Sequence, residues 1–180
     1  MPSSFKDLVP LFKSQMQLDQ QDAERGSSPD ILVVGLQEIV QLNAMNMLQG
    51  ENQAKMNEWE QLLRSAIEFA TLDVKDPEER YVWVVAKSMV GCYIGLFVKH
   101  KLLSRITDLK TTKIKTGVWG SSGNKGAVMV RFNLDDTSIM LMNCHLMSGK
   151  NKAKQRTDEL NFIFDNAFKE HPRHKVMSKC

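Results

Sequence analysis

Cysteine is scarce in this 180-residue chain: Cys92, Cys144 and Cys180 are odd in number, widely spaced and form no C-x-x-C pair. That spacing fits neither a disulfide framework nor a zinc site, and it suits a reducing compartment. Long apolar runs are also missing. None approaches the roughly 20 residues a membrane-spanning helix needs, and the N-terminus lacks the apolar core of a secretory signal. An excess of charge of one sign is absent as well. A formal net charge of +3 is too small to argue for nucleic acid, and no nucleic-acid partner is expected. A mildly basic face would still suit an anionic substrate or an acidic membrane surface. Internal repeats and low-complexity segments are absent. These absences lead us to expect a cytoplasmic protein.

What is present is a single domain's worth of core, with 42% hydrophobic and 25% charged residues. Apolar positions at helical spacing run through residues 4–20, with Pro10 expected to kink or interrupt that helix. A turn-rich loop, AERGSSPD, leads to DILVVGL, which reads as a buried strand ending at Gln37 and Glu38. Residues 53–71 form the clearest amphipathic helix, with Met56, Trp59, Leu63, Ile67 and Ala70 on one stripe. From Tyr81 the texture becomes strands: YVWVVAKSMV, CYIGLFVK, KTTKIKTGVW, AVMVRFNL and TSIMLMNCHL. Asp135-Asp136 reads as a hairpin turn, and a helix from Ala153 to Phe168 follows. The expected fold is an α/β (α+β) sandwich, two packed β-sheets flanked by helices.

Three polar features stand at the ends of apolar strands, where a rigid sheet can hold a fixed geometry. Glu38, after ILVVGL, either caps a neighbouring group or binds a hard cation through oxygen. His145, after IMLMNC, is either a satisfied half-buried residue or a proton donor and charge stabiliser near a phosphate or carbonyl. Gly123-Asn124-Lys125-Gly126, before AVMVRF, is either a plain turn or a loop whose backbone and lysine meet an anion. It is not a Walker A loop, because GxxxxGK[ST] is absent. Lys150, Lys152, Lys154 and Arg156 bring four cations to the start of the last helix, against its dipole. They form a solvated face or a contact with an anionic substrate or lipid headgroup.

In order along the chain, PDILVVGLQEIVQLNAMN, TGVWGSSGNKGAVMVRF and NCHLMSGKNKAKQRTDEL resemble the inositol polyphosphate 5-phosphatases, in their synaptojanin-like form. The likeness runs from about Pro29 to Phe164. It implies the DNase I-like fold of the endonuclease/exonuclease/phosphatase superfamily. It also implies Mg2+-dependent removal of the 5-phosphate from phosphoinositides, such as phosphatidylinositol 4,5-bisphosphate, and from inositol polyphosphates, at the periphery of acidic membranes. Carried over by position, Glu38 matches the Mg2+ ligand and His145 the histidine that contacts the scissile phosphate. Asn124 and Lys125 match the substrate-side loop. Arg156 matches a basic position after the histidine, with Lys154 beside it as a further substrate contact.

The sequence also departs from the family pattern. No Trp-Asn-Val-Asn strand precedes Glu38, and neither Gly-Asp-x-Asn-Tyr-Arg nor Ser-Asp-His follows His145. Cys144 stands where the family often has serine. The resemblance therefore implies three parts: an N-terminal helical segment and loop over 1–28, an incomplete catalytic domain over 29–170 and a divergent tail over 171–180. A chain truncated in this way is expected to have little or no phosphatase activity by itself. Two alternatives remain open: a catalytically dead relic or pseudo-phosphatase that binds acidic lipid, and a phosphodiesterase or nuclease of the same fold. The oligomeric state is not legible.

Overall fold

The computed structural model describes residues 4–16, 28–39, 51–117 and 125–169. Its strands form two antiparallel three-stranded sheets. The first contains β1 (Ile31–Leu36), β2 (Tyr81–Met89) and β3 (Cys92–Lys99), in the order β1-β3-β2. The second contains β4 (Ile106–Lys115), β5 (Gly126–Leu134) and β6 (Thr137–His145), in sequence order. Three α-helices, α1 (Val9–Gln15), α2 (Glu51–Ala70) and α3 (Ala153–Asn166), and three 3-10 turns (Phe5–Asp7, Pro77–Glu79 and His100–Arg105) complete the described elements.

The period-2 alternation of the strands sets the layers. On β3, Tyr93 and Phe97 face one way and pack with Met56, Leu63 and Ile67 of α2 and Val9 and Phe12 of α1. Cys92, Ile94, Leu96 and Val98 face the other way and meet Val128, Val130 and Phe132 of β5. Ala127 and Met129, on the opposite face of β5, pack with Ile163 beneath α3. The order is therefore helices, sheet, sheet, helix. This is the expected sandwich.

Several local readings need correction. The helical run is interrupted, but Pro10 stands at the start of the second piece and not inside a helix. It lies in the first turn of α1, where the missing N–H costs nothing, after a 3-10 turn over Phe5–Asp7. Among the described residues β1 is an edge strand rather than a buried one, since its partner there is β3 alone and Val33 remains 39% exposed. Its apolar run reflects packing of Leu32, Val34 and Leu36 against the helix-side core. β4 begins at Ile106 and ends at Lys115, earlier at both ends than KTTKIKTGVW implied, with a register shift between Thr107 and Lys110. Asp135 does enter the β5–β6 turn, with φ of 50°.

One end of the sandwich is closed by charge. Lys99, buried at the end of β3, places Nζ 2.7 Å from Glu79 and 3.4 Å from Asp30, and donates to the Ser28 carbonyl at 2.8 Å. Lys101 reaches the same two carboxylates at 2.6 and 3.5 Å. The opposite end holds Glu38 and His145.

Candidate functional site

Glu38 and His145 are brought together by the stacking of the two sheets. β1 and β6 belong to different sheets, yet their C-terminal ends meet, and Glu38 Oε1 lies 3.4 Å from His145 Nε2. Glu38 has φ of 56°, a left-handed conformation that turns the chain off the strand and is uncommon for a residue with a Cβ. Just beyond it, Ile39 N–H donates to the Gly91 carbonyl at 3.3 Å, anchoring this turn to the β2–β3 hairpin.

Lys125 joins them from the start of β5, with Nζ 2.8 Å from His145 Nε2. An ammonium only donates, so in this contact Nε2 accepts and the ring proton of the neutral imidazole belongs on Nδ1. Nδ1 is buried and has no hydrogen-bond partner among the described residues. His145 is 6% exposed, whereas the Glu38 side chain is 74% exposed. The constellation is therefore a buried imidazole whose Nε2 faces both a lysine and an outward-facing carboxylate. Such an arrangement can present positive charge to phosphoryl oxygens and a carboxylate to a hard cation.

Gly126 has a different purpose from the one the loop suggested. At φ of 140°, a Cβ there would come within 2.0 Å of the Ile114 carbonyl oxygen. The glycine is demanded by backbone approach of β5 to β4, independently of any ligand. Lys125 is held by the same pairing, since its carbonyl accepts from Thr116 N–H at 3.0 Å. Asn124 lies outside the described residues.

Arg156 is turned inward onto the loop after β6. Its Nη1 donates to the Met147 carbonyl at 3.2 Å and the Gly149 carbonyl at 3.0 Å. Glu159, one turn along α3, accepts from Met147 N–H at 2.8 Å and from Thr116 Oγ1 at 3.1 Å. These contacts fasten the segment following His145. Lys154 is exposed.

A thiol mechanism is disfavoured. Burial pushes the Cys92 thiol up to about 11 and raises Cys144 as well, so neither forms an appreciable thiolate near neutral pH. Asn143 is the residue that the motif reading passed over. Its Nδ2 donates to the carbonyls of Leu36 at 3.0 Å and Tyr93 at 2.8 Å, and its Oδ1 accepts from Gln37 Nε2 at 2.9 Å. A signal was available. Ile139, Leu141, Asn143 and His145 alternate onto one face of β6, so Asn143 is a polar residue in an inward position.

A metal would find limited ligands here. Among the described residues no group of three or more His, Cys, Asp or Glu side chains gathers into a metal cluster. The single carboxylate of Glu38 nevertheless fits a cation that keeps most of its waters and shares the substrate's oxygens, as Mg2+ commonly does.

Comparison with known proteins agrees with the architecture. Residues 4–178 match the model for Endonuclease/Exonuclease/phosphatase family 2, and the chain belongs to that family. Within it, the chain is similar to inositol polyphosphate 5-phosphatases, synaptojanins among them. It is 38% identical over 151 residues to a probable inositol polyphosphate 5-phosphatase of Schizosaccharomyces pombe, covering 77% of this chain and 13% of that relative. It is 32% identical over 143 residues to human Synaptojanin-2, covering 79% of this chain and 9% of that protein. The crystal structure of the inositol polyphosphate 5-phosphatase domain of SPsynaptojanin, in complex with inositol (1,4)-bisphosphate and calcium ion, superposes with a TM-score of 0.67 at 28% identity. It covers 91% of this chain and 42% of that one. The chain thus spans less than half the length of each of these proteins.

Proposed function

We propose that the chain carries part of a phosphoinositide 5-phosphatase site, acting on phosphatidylinositol 4,5-bisphosphate and related inositol polyphosphates with Mg2+. The observation that carries this reading is the convergence of Glu38, Lys125 and His145 from two sheets, with the 2.8 Å Lys125–His145 contact at its centre. Similarity to an inositol polyphosphate 5-phosphatase and to a synaptojanin domain holding inositol (1,4)-bisphosphate supports the substrate class.

Lys125 would bring a point charge to the phosphoryl oxygens, and His145 would meet the same group from its buried seat. Arg156 and Glu159 act indirectly, by holding the segment after His145 in place. Glu38 would supply one oxygen ligand to Mg2+, which when bound neutralises charge developing on the phosphate. A base that activates water is not provided by Glu38, Lys125 or His145 as they are placed. We therefore expect these 180 residues alone to bind the phosphate group but to release little of it.

The test uses the purified chain with Mg2+ and inositol 1,4-bisphosphate or phosphatidylinositol 4,5-bisphosphate. Binding that is weakened at least several-fold by Lys125→Ala, with little phosphate release, is the expected outcome. Absence of binding in the unaltered chain would overturn the site. Release abolished by Glu38→Gln would show that the chain is catalytically sufficient.

A second, compatible reading places the protein in the cytoplasm at acidic membrane surfaces. Lys150, Lys152 and Lys154 are exposed in and beside the segment that follows His145. No ion pair engages these lysines among the described residues. Co-sedimentation with phosphatidylserine vesicles should fall with added salt and with Lys150→Glu/Lys152→Glu/Lys154→Glu. Binding indifferent to both would remove the membrane from the proposal.

A further inference from the structure

The cores of the two sheets meet through aliphatic and aromatic side chains, which attract without specifying direction. Something else must set the distance between a carboxylate on one sheet and an imidazole on the other. The Asn143 amide stands at that junction. Its two Nδ2 hydrogens go to Leu36 on β1 and Tyr93 on β3, which are paired directly across the first sheet. Gln37 closes the link by donating to Asn143 Oδ1 at 2.9 Å and to the Cys144 carbonyl at 2.8 Å.

The placement in sequence is what gives this junction meaning. Leu36 and Gln37 immediately precede Glu38, and Asn143 and Cys144 immediately precede His145. Three hydrogen bonds therefore tie the last residues before each site group, one strand end against the other, and the fourth fastens Asn143 to Tyr93 on β3. Hydrogen bonds constrain angle as well as distance, unlike the apolar contacts around them.

We propose that Asn143 is a positioning residue: its amide, with Gln37, locks the two sheets in the one alignment that holds Glu38 against His145. The inference rests on the site reading above for its functional meaning, although the alignment itself does not depend on any ligand. Asn143→Leu removes both donors and the acceptor at similar volume. Asn143→Asp presents a carboxylate to two carbonyl oxygens and removes the same donors.

The experiment is NMR on the full 180-residue chain without ligand. The readouts are the cross-peak between the His145 imidazole and the Glu38 Hγ protons, and the methyl spectrum of Val98, Val128 and Val130. In the unaltered chain the cross-peak should be present. In Asn143→Leu it should fall below detection while the methyl spectrum remains that of a folded core. Gln37→Ala, which keeps the Asn143 donors, should weaken the cross-peak less. Persistence of the cross-peak in a folded Asn143→Leu chain would overturn the proposal. Should Asn143→Leu fail to fold, Gln37→Ala and Gln37→Leu decide. Reduced cross-peak intensity with unshifted methyls supports the lock, and unchanged intensity rejects it. Inorganic phosphate, titrated separately against the Lys125 and His145 signals, tests the site reading. Its failure would leave the positioning result standing.

Discussion

The two ends of the sandwich handle charge in opposite ways. At the end of β3, the buried Lys99 is surrounded by Glu79, Asp30 and the Ser28 carbonyl, and Lys101 binds the same carboxylates from outside. At the other end, His145 is buried with Nδ1 unpartnered among the described residues, and Glu38 points outward from a left-handed turn. The first arrangement saturates its polar groups and so stabilises the fold. The second leaves hydrogen-bonding capacity open, which is costly to a fold and useful for a ligand. An end that closes on itself has little left with which to bind.

Breaking the closed end should have the largest effect. Glu79→Ala takes the nearest counter-charge from an ammonium whose side chain is 2% exposed, and should cost about 3 kcal/mol in urea unfolding. Lys99→Met sharpens the point. It replaces the charge with an apolar chain of similar length and should cost markedly less, because no buried ammonium is then left with only the longer Asp30 contact and the Ser28 carbonyl.

The same end sets an acid limit. Hydrogen bonding from Lys101, and then from Lys99, holds the Glu79 carboxyl below its ordinary value of 4.5. The carboxylate therefore contributes stability fully above that ordinary value and loses it as pH falls through the depressed one. Urea midpoints measured downward from neutral pH should drop in the acid range below about 4.5, and Glu79→Ala should flatten that drop.

At the open end, Asn143→Leu strands the Leu36 and Tyr93 carbonyls and should cost about 2 kcal/mol. Arg156→Gln, which loosens the Met147 and Gly149 carbonyls, should cost about 1 kcal/mol and speed proteolysis within residues 146–152. The smallest effect is expected from Glu38→Gln. With a side chain so exposed, stability should shift by no more than about 0.5 kcal/mol, while any phosphate release is lost. A large destabilisation by Glu38→Gln would make it a structural residue and undo the contrast between the ends.

Much of this could be read in the chain. The near-continuous apolar runs CYIGLFVK and AVMVRF mark strands buried on both faces, and the stripe from Met56 to Ala70 marks a helix laid on a sheet. Glu38, Lys125 and His145 stood out because polar groups at the ends of apolar strands have few structural reasons to be there. Less was legible where one residue type serves two ends. Gly126 looked like a ligand cradle, and close packing against Ile114 requires it. Arg156 looked like a substrate contact, and its Nη1 is spent on loop carbonyls.

By itself the sequence determined the elements, their buried faces and the list of residues with chemistry to offer. Those properties depend on side chains a few positions apart, so local periodicity records them. The tertiary structure decided which residues meet. Residues 38 and 145 are far apart along the chain, and only the stacking of two sheets, aligned through Asn143, places Glu38 Oε1 3.4 Å from His145 Nε2. Apolar patterning says that two faces will be buried together. The alignment in which they settle is set by directional hydrogen bonds between residues that no local pattern connects.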